Sequence, residues 1–504
     1  MAKLYVFGIG GTGARVIKSL TMLLATGVTT NYDIVPILID PDSASGDLNK
    51  TIKLLRDYQN IQKQTEEYEP NLFFKNKIST LTDVVVEKGS SVKVVDGFRF
   101  ELDGVQNYRF KDFIDFNSLD QNNKNLTKLL FSEKNLDAEL EVGFKGHPNI
   151  GSVVLNQFSK SEVFQSFADS FQEEDRIFII SSIFGGTGAA GFPLLLKNIR
   201  KGIVGGKHYA HLKDARIGAI SIQPYFKVKQ DESSEIDSHS FITKTKAALH
   251  YYSRNITGNK SINALYYIGD TVDNPYENIE GGTKQKNDAH FIEVASALSV
   301  IDFASIDDTQ LETIKETATY PVYKEFGVMA DGQINLNTLY ESTREILLSN
   351  LTSYFYFNLF LKEKLNWAIS KSYPFTEDAT AKIDSNFTHQ SFYKTLSNFN
   401  LEYRIWLAQL QRNQVSFTPF EIEPVINQYN EVTDFKVNTK SIFTLVRNIP
   451  ERKGINPFAQ NNYELFVDHL NKASHKLGNA PNTPKRFMGV FSQGIKTLVD
   501  KKLL

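Results

Sequence analysis

The first 310 residues or so alternate short apolar runs with longer segments in which apolar positions recur at the spacing of a helix. Compact runs rich in β-branched residues are typical of strands that are buried on both faces of a parallel sheet. The predicted strands are Lys3–Phe7, Asp33–Ile39, Arg176–Ser182, Arg216–Ile222 and Ala264–Ile268. The predicted helices between them are Arg15–Thr26, Lys160–Gln172, Phe192–Gly202 and Phe241–Arg254. This alternation predicts an α/β fold with a doubly wound, mostly parallel sheet.

The segment 49–142 departs from this alternation, and we interpret it as an insertion of small strands and helices. Strand-like pieces within it are Asp83–Val86 and Val92–Val95. A long central helix is predicted from Asn287 onward. Because its apolar positions cover most of the circumference, we expect it to be buried.

Beyond the central helix, Asn335–Ser370 and Gln390–Arg412 each have the pattern of an amphipathic helix. The chain is therefore predicted to contain three parts. They are an α/β domain over residues 1–286, the central helix with its following loop over 287–308, and a mostly helical C-terminal domain over 309–504.

Composition and charge narrow the functional classes only slightly. The chain has 504 residues, 41% of them hydrophobic, which is ordinary for a soluble globular protein. A net charge of −2 gives no general attraction to nucleic acid, so none is expected as a partner. The absence of cysteine excludes disulfides, thiolate zinc sites and cysteine nucleophiles. No run approaches the ~18 apolar residues of a spanning helix, and no signal peptide is visible, so a cytoplasmic location is expected.

Two glycine-rich segments directly follow predicted strands and precede predicted helices. The first contains Gly8, Gly10, Gly11, Thr12 and Gly13, and the second contains Gly185, Gly186, Thr187 and Gly188. Phosphate binds where backbone N–H groups converge at a helix N-terminus, and glycine permits that close approach. Either segment alone is equally well explained as a tight turn. Together, at the carboxyl ends of strands in one sheet, they predict a nucleotide whose phosphates are held from two sides.

Six segments, in matching order and spacing, resemble the tubulin and FtsZ class of GTPases over roughly residues 1–310. Besides the two glycine loops, they are Asp40-Pro41-Asp42, Gly143–Gly151, Ser221–Phe226 and Ala264–Ile268. The segment Gly143–Gly151 resembles the FtsZ loop that senses the terminal phosphate, although Pro148 and Asn149 stand in reverse order. Phe184 replaces the first glycine of the usual Gly-Gly-Gly-Thr-Gly signature. The chain therefore resembles a divergent prokaryotic tubulin-like protein.

The resemblance implies binding of GTP or GDP with Mg²⁺, although the residues leave guanine and adenine open. It adds Gly146, His147 and Asn149 to the phosphate contacts. In this class the N-terminal part of the central helix reads the base, which makes Asn287 and His290 candidates. His290 is equally well explained as a residue with a backbone partner near a helix start. Asp40 and Asp42 are candidates for indirect Mg²⁺ contact through water, and either is equally well explained as a ribose contact or as the cap of a turn. No direct metal ligand is predicted.

The resemblance also implies self-assembly head to tail into filaments with nucleotide at the interface between copies. In this class an acidic residue after the central helix completes GTP hydrolysis in the neighbouring copy. The candidates are Asp302, Asp307 and Asp308, and their alternative role is to cap a helix around Thr309–Glu316. The C-terminal domain does not resemble the β-rich second domain of the class, and a further protein partner is expected there.

Two other functions stay open. A tubulin-like fold that holds nucleotide without polymerising would act as a scaffold or regulatory module in a larger complex. The spacing Gly8-x-Gly10-x-x-Gly13 followed by Asp40 also fits a Rossmann-type dinucleotide-binding enzyme. In that interpretation the acid is late, at 27 residues after Gly13 rather than about 20, and the second glycine loop has no role.

Overall fold

The computed structural model describes residues 1–89, 97–141, 143–144, 146–228, 238–270, 275–276, 287–326, 333–379, 381–452, 462–478 and 480–504. The strands are β1 (Lys3–Ile9), β2 (Asp33–Ile39), β3 (Arg99–Phe100), β4 (Arg176–Ser182), β5 (Ile203–Val204), β6 (Lys207–His208), β7 (Arg216–Ile222), β8 (Lys227–Val228), β9 (Ala264–Ile268), β10 (Pro275–Tyr276), β11 (Thr313–Ile314), β12 (Thr317–Ala318), β13 (Val322–Glu325), β14 (Glu423–Ile426) and β15 (Val432–Lys436).

The α-helices are α1 (Gly10–Ala25), α2 (Gly46–Thr65), α3 (Leu81–Glu87), α4 (Phe110–Phe113), α5 (Gln121–Leu130), α6 (Glu133–Leu136), α7 (Pro148–Val154), α8 (Glu162–Ser170), α9 (Gly186–Lys201), α10 (Ala210–Lys213), α11 (Ser238–Tyr252), α12 (Phe291–Ser305), α13 (Glu341–Glu363), α14 (Leu365–Ser370), α15 (Ser385–His389), α16 (Ser391–Arg412), α17 (Asn462–Lys476) and α18 (Thr483–Lys502). Short 3₁₀ helices cover Phe116–Ser118, Leu155–Lys160, Asp308–Leu311, Pro374–Thr376 and Ile442–Thr444, and a π-helical turn covers Ser253–Thr257. In these described ranges no helix combines the length and apolarity needed to cross a bilayer.

Seven strands form one sheet in the order β13-β9-β7-β4-β1-β2-β3, and every neighbouring pair is parallel. The predicted doubly wound α/β fold is thereby confirmed, and four of the five predicted strands have the predicted bounds. The edge strands β3 and β13 were not predicted, because they are short and not apolar throughout. The order reverses between β1 and β4, since the chain runs outward through β2 and β3 and then returns. Ligands bind at such a switch point in doubly wound sheets.

Apolar side chains cover both faces of the sheet, as the strand period of two requires. Phe178 and Ile180 contribute to a core on one face with α1, α2 and α12. Ile177 and Ile179 contribute to a second core on the other face with α8 and α9. The helices α13, α16 and α18 continue the first of these cores. The C-terminal helices are therefore packed directly against the layer that carries the first glycine loop.

The glycine segments are themselves the first turns of helices. The helices α1 and α9 begin at Gly10 and Gly186, respectively five and six residues before the predicted starts. The central helix α12 begins at Phe291 rather than Asn287, and 13 of its 15 residues are buried, which confirms the predicted burial. The backbone N–H groups of both glycine segments therefore lie at helix N-termini, where they lack partners within the helix.

Two local predictions are wrong. Asp83–Val86 lies within α3, because Thr80 and Asp83 form a capping box and the buried face outweighs the β-branched preference. Asn335–Ser370 is not one helix, since α13 ends at Glu363 and the φ of −134° at Lys364 separates it from α14. The predicted strand-like piece Val92–Val95 lies outside the described residues.

Candidate functional site

The two glycine loops meet at the switch point of the sheet. The strands β1 and β4 are adjacent and parallel, and each continues into one of the loops. A β-carbon built on Gly10 would lie 3.4 Å from Cβ of Thr187 and 3.9 Å from the backbone N of Gly188. The structure therefore brings the two loops close together, although 177 positions separate Gly10 from Thr187.

Backbone N–H groups at both helix N-termini are not capped by side chains. The residues preceding the two helices, Ile9 and Gly185, make no side-chain capping bond, and the first turns of α1 and α9 contain no acidic residue. Each helix has 16 residues, so its dipole places partial positive charge at the same point as these donors. The arrangement is suited to phosphate oxygens.

The glycines of the first loop have two different roles. Gly8 and Gly13 allow β1 and α1 to approach closely, because a β-carbon on Gly13 would lie 2.5 Å from the carbonyl carbon of Gly8. Gly10 instead has a φ of +71°, which other residues rarely adopt, and lies against Thr187. Half-buried Gly11 and buried Thr12 complete the first turn. Substitution of Gly10 is therefore expected to change the backbone conformation of the loop itself.

Gly10→Ala is expected to weaken nucleotide binding by about tenfold or more, because strain at a positive φ of about 1–3 kcal/mol shifts the loop. The measurement is titration of a fluorescent GTP analogue. Gly206→Ala is the matched control, since Gly206 has a φ of +81° and lies in the turn between β5 and β6. Equal nucleotide affinity for the two variants would contradict the assignment.

A third loop approaches the second. A β-carbon built on Gly186 would lie 3.0 Å from the backbone N of His147 and 3.1 Å from that of Gly146. Asn149 is exposed in the first turn of α7. Gly146 and His147 therefore lie beside the first turn of α9, and their contact with phosphate stays a prediction.

Lys244 lies beside the third loop, and the motifs did not indicate it. It lies on α11, and its Nζ is 3.2 Å from the β-carbon position of Gly146. No motif around Lys244 distinguishes it from the other charged residues nearby. Its position beside the third loop follows only from the fold. A cation at this position adds to the attraction for phosphate.

Lys244→Met is expected to reduce affinity for GTP by about tenfold and affinity for GDP by less, since the third loop is the candidate for the terminal phosphate. Competition titrations with both nucleotides measure this. Lys246→Met is the matched control, because Lys246 is exposed on the same helix. A similar loss in both variants would show that only the general charge of α11 matters.

A buried network centred on Arg15 lies behind the first loop. The guanidinium donates from Nε to Glu293 at 2.7 Å and from Nη1 to Asp47 at 3.2 Å. It also donates from Nη2 to the hydroxyl of Tyr225 at 2.7 Å. The Tyr225 hydroxyl in turn donates to Glu293 at 3.1 Å. One arginine therefore joins α1, α2, α12 and the segment after β7.

Asn287, which is exposed, and His290, which is buried, lie at the edge of this network, and one side-chain atom of each is bonded within the chain. Asn287 donates from Nδ2 to Asp47 at 3.0 Å. His290 caps α12, since its Nδ1 accepts from the backbone N of Ile292 at 3.0 Å, and only 4% of the residue is exposed. Burial, followed by the charge of Arg15, lowers the pKa of His290 to about 4, so the ring is neutral at pH 7. The structure shows the capping role, and contact with a base stays a prediction.

Asp40 and Asp42 lie just beyond β2, beside the first loop, because Ile39 pairs with Ile9. Asp40 Oδ1 accepts from the backbone N of Asp42 at 3.0 Å. Asp42 Oδ1 accepts from the backbone N of Ala44 at 3.0 Å. Burial raises the pKa of Asp40 to about 7, with the bond from Asp42 acting in the opposite direction. In the described part of the chain no three acidic or histidine side chains form a cluster suited to a metal ion.

Asp40→Asn is expected to stabilise the protein above pH 7 by about 1–3 kcal/mol and to have little effect near pH 4. The folded state holds the Asp40 proton up to a pKa of about 7, against an ordinary value of 3.8. The contribution of Asp40 to the stability of the native chain therefore falls as pH rises from about 4 to 7, and the variant lacks this loss. Denaturant unfolding of both proteins from pH 4 to pH 8 measures the difference. A difference that does not change with pH would contradict it.

Asp302, Asp307 and Asp308 lie at the amino edge of the sheet, opposite the loops. Arg176, the first residue of β4, donates to the carbonyl of Ile306 and to Asp308, both at 2.7 Å. The seven-residue length of β4 separates this edge from the second loop by roughly 20 Å. The structure therefore does not bring these aspartates to the phosphate loops of the same chain.

Each of the three aspartates has partners within the chain. Asp302 accepts from Lys324 at 2.7 Å and also from the hydroxyl of Tyr266. Asp307 accepts from the backbone N of Thr309 at 2.9 Å and caps the 3₁₀ helix Asp308–Leu311. The capping alternative therefore describes Asp307, at a shorter helix than the one expected.

No family model and no curated protein matches the sequence. Among solved structures, the chain is similar to CetZ2 from Haloferax volcanii in a GTPγS-bound protofilament (13% identity, 61% of this chain and 60% of that one, TM-score 0.30). It is also similar to an empty FtsZ dimer from M. jannaschii (16% identity, 53% and 45%, TM-score 0.24) and to TubZ-Bt in a two-stranded filament (14% identity, 59% and 52%, TM-score 0.24). The matches span 45–60% of the length of these structures. At these identities the similarity concerns the fold alone.

Proposed function

We propose that this chain binds GTP and assembles head to tail, with the nucleotide between successive copies. The observation that carries the proposal is the close approach of Gly10 and Thr187 at the switch point, between the N-termini of two long helices. A ligand with several anionic groups can accept from the N-termini of both helices at once. A nucleoside triphosphate with Mg²⁺ has this chemistry, and the preference for guanine rests on the resemblance of the motifs.

The position of the acidic segment supports an active site shared between copies. Within one chain, the roughly 20 Å length of β4 keeps the segment from Asp302 to Asp308 away from the phosphates. When the amino edge of one copy stacks on the carboxyl edge of the next, the same segment faces the phosphates of that neighbour. A carboxylate there polarises the attacking water as a general base. Hydrolysis is then limited to assembled copies.

The second candidate is a nucleotide-binding scaffold that neither polymerises nor hydrolyses. One observation favours it: the candidate carboxylates are already paired, with Asp308 between Arg176 and Arg216 at 2.7 and 3.2 Å. Carboxylate oxygens that already accept bonds within the chain are less available to orient an attacking water. A Rossmann-type enzyme is less well supported. The second glycine loop lies beside the first, and in such an enzyme it has no role.

The test is sedimentation of the purified chain with GTP, GDP, a slowly hydrolysed GTP analogue or ATP, with phosphate release followed in the same samples. The proposal expects GTP-dependent pelleting and a turnover per copy that rises with protein concentration. Binding at one nucleotide per chain without pelleting or turnover would favour the scaffold. Absence of nucleotide binding would overturn both.

A further inference from the structure

Arg176 is a buried arginine whose bonds go mainly to backbone carbonyl oxygens. It is the first residue of β4 and is only 3% exposed. Its Nη1 donates to the carbonyl of Phe303 at 2.6 Å and to that of Ala304 at 3.3 Å. Its Nη2 donates to the carbonyl of Ile306 and to Asp308, both at 2.7 Å. Among the described residues its one carboxylate partner is therefore Asp308, whose side chain is 58% exposed.

The carbonyls that Arg176 contacts lie at and just after the end of the central helix. The last four carbonyls of a helix have no partner within it, and α12 ends at Ser305. Arg176 therefore acts as a C-terminal cap and places a cation where the helix dipole is negative. Burial of a guanidinium costs free energy, and an apolar side chain often serves a core equally well. An arginine here fixes the turn that follows α12, which an apolar side chain cannot do.

The chain after α12 is held at a second point. Asn263, which precedes β9 and is 1% exposed, donates from Nδ2 to the carbonyl of Leu311 and to the hydroxyl of Thr313, both at 2.7 Å. Its Oδ1 accepts from Arg200 at 3.0 Å, so the amide itself is fixed. Residues 306–313 are therefore bonded at both ends to buried side chains at the starts of β4 and β9.

One strand joins this anchor to the opposite edge of the sheet. The strand β4 begins at Arg176 and continues into the second glycine loop. It pairs with β1 on one side and with β7 on the other. A strand that is bonded on both sides hardly changes length, so roughly 20 Å between the loop and Arg176 is a fixed separation. A site completed by the next copy needs such a fixed separation, because a misplacement of about 1 Å can cost about 10²-fold in rate.

We propose that Arg176 is a positioning residue for GTP hydrolysis, which holds the aspartates after α12 where they reach the nucleotide of the next copy. The inference rests on the shared active site proposed above. Arg176 and Arg216 both contact Oδ1 of Asp308. Thr309 donates from its backbone N and its hydroxyl to Oδ1 of Asp307. Within the described ranges Oδ2 of these two aspartates accepts no bond, so one oxygen orients each carboxylate and the other is available to an attacking water.

Arg176→Met separates positioning from nucleotide binding. Affinity for GTP is expected to stay within a factor of about two, because roughly 20 Å separates Arg176 from the glycine loops of its own chain. Turnover in assembled copies is expected to fall about tenfold or more. Arg176→Lys is expected to recover part of the loss, since lysine keeps the cation but not the planar pair of donor nitrogens. Phosphate release and nucleotide titration measure these quantities, and circular dichroism gives the folded fraction.

The matched control is Arg486→Met. Arg486 is also buried, at 4% exposed, and pairs with Asp378 at 2.8 Å, so its loss removes a buried arginine without touching residues 303–313. Turnover per folded chain is expected to stay near the native value in this control. Native turnover in Arg176→Met, or an equal loss in the control, would overturn the inference.

Mixed variants show on which side of the contact Arg176 acts. Equal amounts of Arg176→Met and Gly10→Ala are expected to recover about a quarter of the native turnover, because one in four random contacts pairs native loops with native residues after α12. Arg176→Met mixed with the chain that has asparagine at Asp302, Asp307 and Asp308 is expected to recover none, since both lack the same side. Recovery in the second mixture, or in neither, would overturn the inference. If the native chain itself does not turn over GTP, the shared active site fails and the inference fails with it, whereas native turnover that Arg176→Met leaves unchanged refutes the positioning role alone.

Discussion

Arg15→Met is expected to destabilise the folded chain by about 3–5 kcal/mol, because it leaves two buried carboxylates without their cation. Arg15, Asp47 and Glu293 are each less than a tenth exposed. Methionine preserves most of the side-chain length, so the loss is mainly electrostatic. The free energy of unfolding in denaturant, followed by circular dichroism, measures it. Weaker nucleotide binding is expected in the same variant, since Arg15 fixes α1 relative to α12.

Two further variants separate this effect from a general loss of charge. Lys53→Met breaks an exposed pair with Asp57 and is expected to cost less than about 1 kcal/mol. The double variant Arg15→Met, Glu293→Met is expected to lose less than the sum of its two single changes, because one uncompensated carboxylate is also removed. A cost for Arg15→Met as small as that for Lys53→Met would contradict the role of the network.

Conversion of Asp302, Asp307 and Asp308 to asparagine together is expected to reduce GTP turnover by about 10²–10⁴-fold, as loss of a general base does. Affinity for GTP is expected to stay within a factor of about two, because roughly 20 Å separates these residues from the loops of their own chain. Asparagine keeps much of the local hydrogen bonding, so the fold is retained. Phosphate release and nucleotide titration on the same preparation measure both quantities.

Mixing decides whether the site is shared. The Gly10→Ala chain has an altered first glycine loop but native aspartates. The triple asparagine variant has native glycine loops but lacks the three aspartates. Neither is expected to turn over GTP efficiently alone. Equal amounts are expected to recover about a quarter of the native turnover, because one in four random head-to-tail contacts pairs a native loop with native aspartates. No recovery on mixing would contradict a site built from two copies.

The sequence predicted the elements that depend on local pattern. The strands β2, β4, β7 and β9 were predictable at their observed bounds because each is a compact apolar run, and the glycine loops were predictable from their position after such runs. Contacts between distant segments were not predictable. Arg15 and Glu293 are 278 residues apart, and Lys244 reaches the third loop only through the packing of α11. Leu126, Leu129 and Leu130 of α5 are exposed. They have the spacing of a buried helix face, so the pattern alone does not show that they face solvent.

The place of β1 within the sheet has a consequence for synthesis on the ribosome. Its backbone is paired on one side with β2, which emerges soon afterwards, but on the other side with β4. The backbone N of Lys3, at its start, donates to Oδ1 of Asp175, 172 residues later. Until that length has been translated, the first glycine loop has no opposing loop, and one edge of β1 has no strand partner. We expect this unpaired strand edge to depend on chaperones until β4 has been translated. A stalled chain of fewer than about 200 residues is therefore expected to be prone to aggregation.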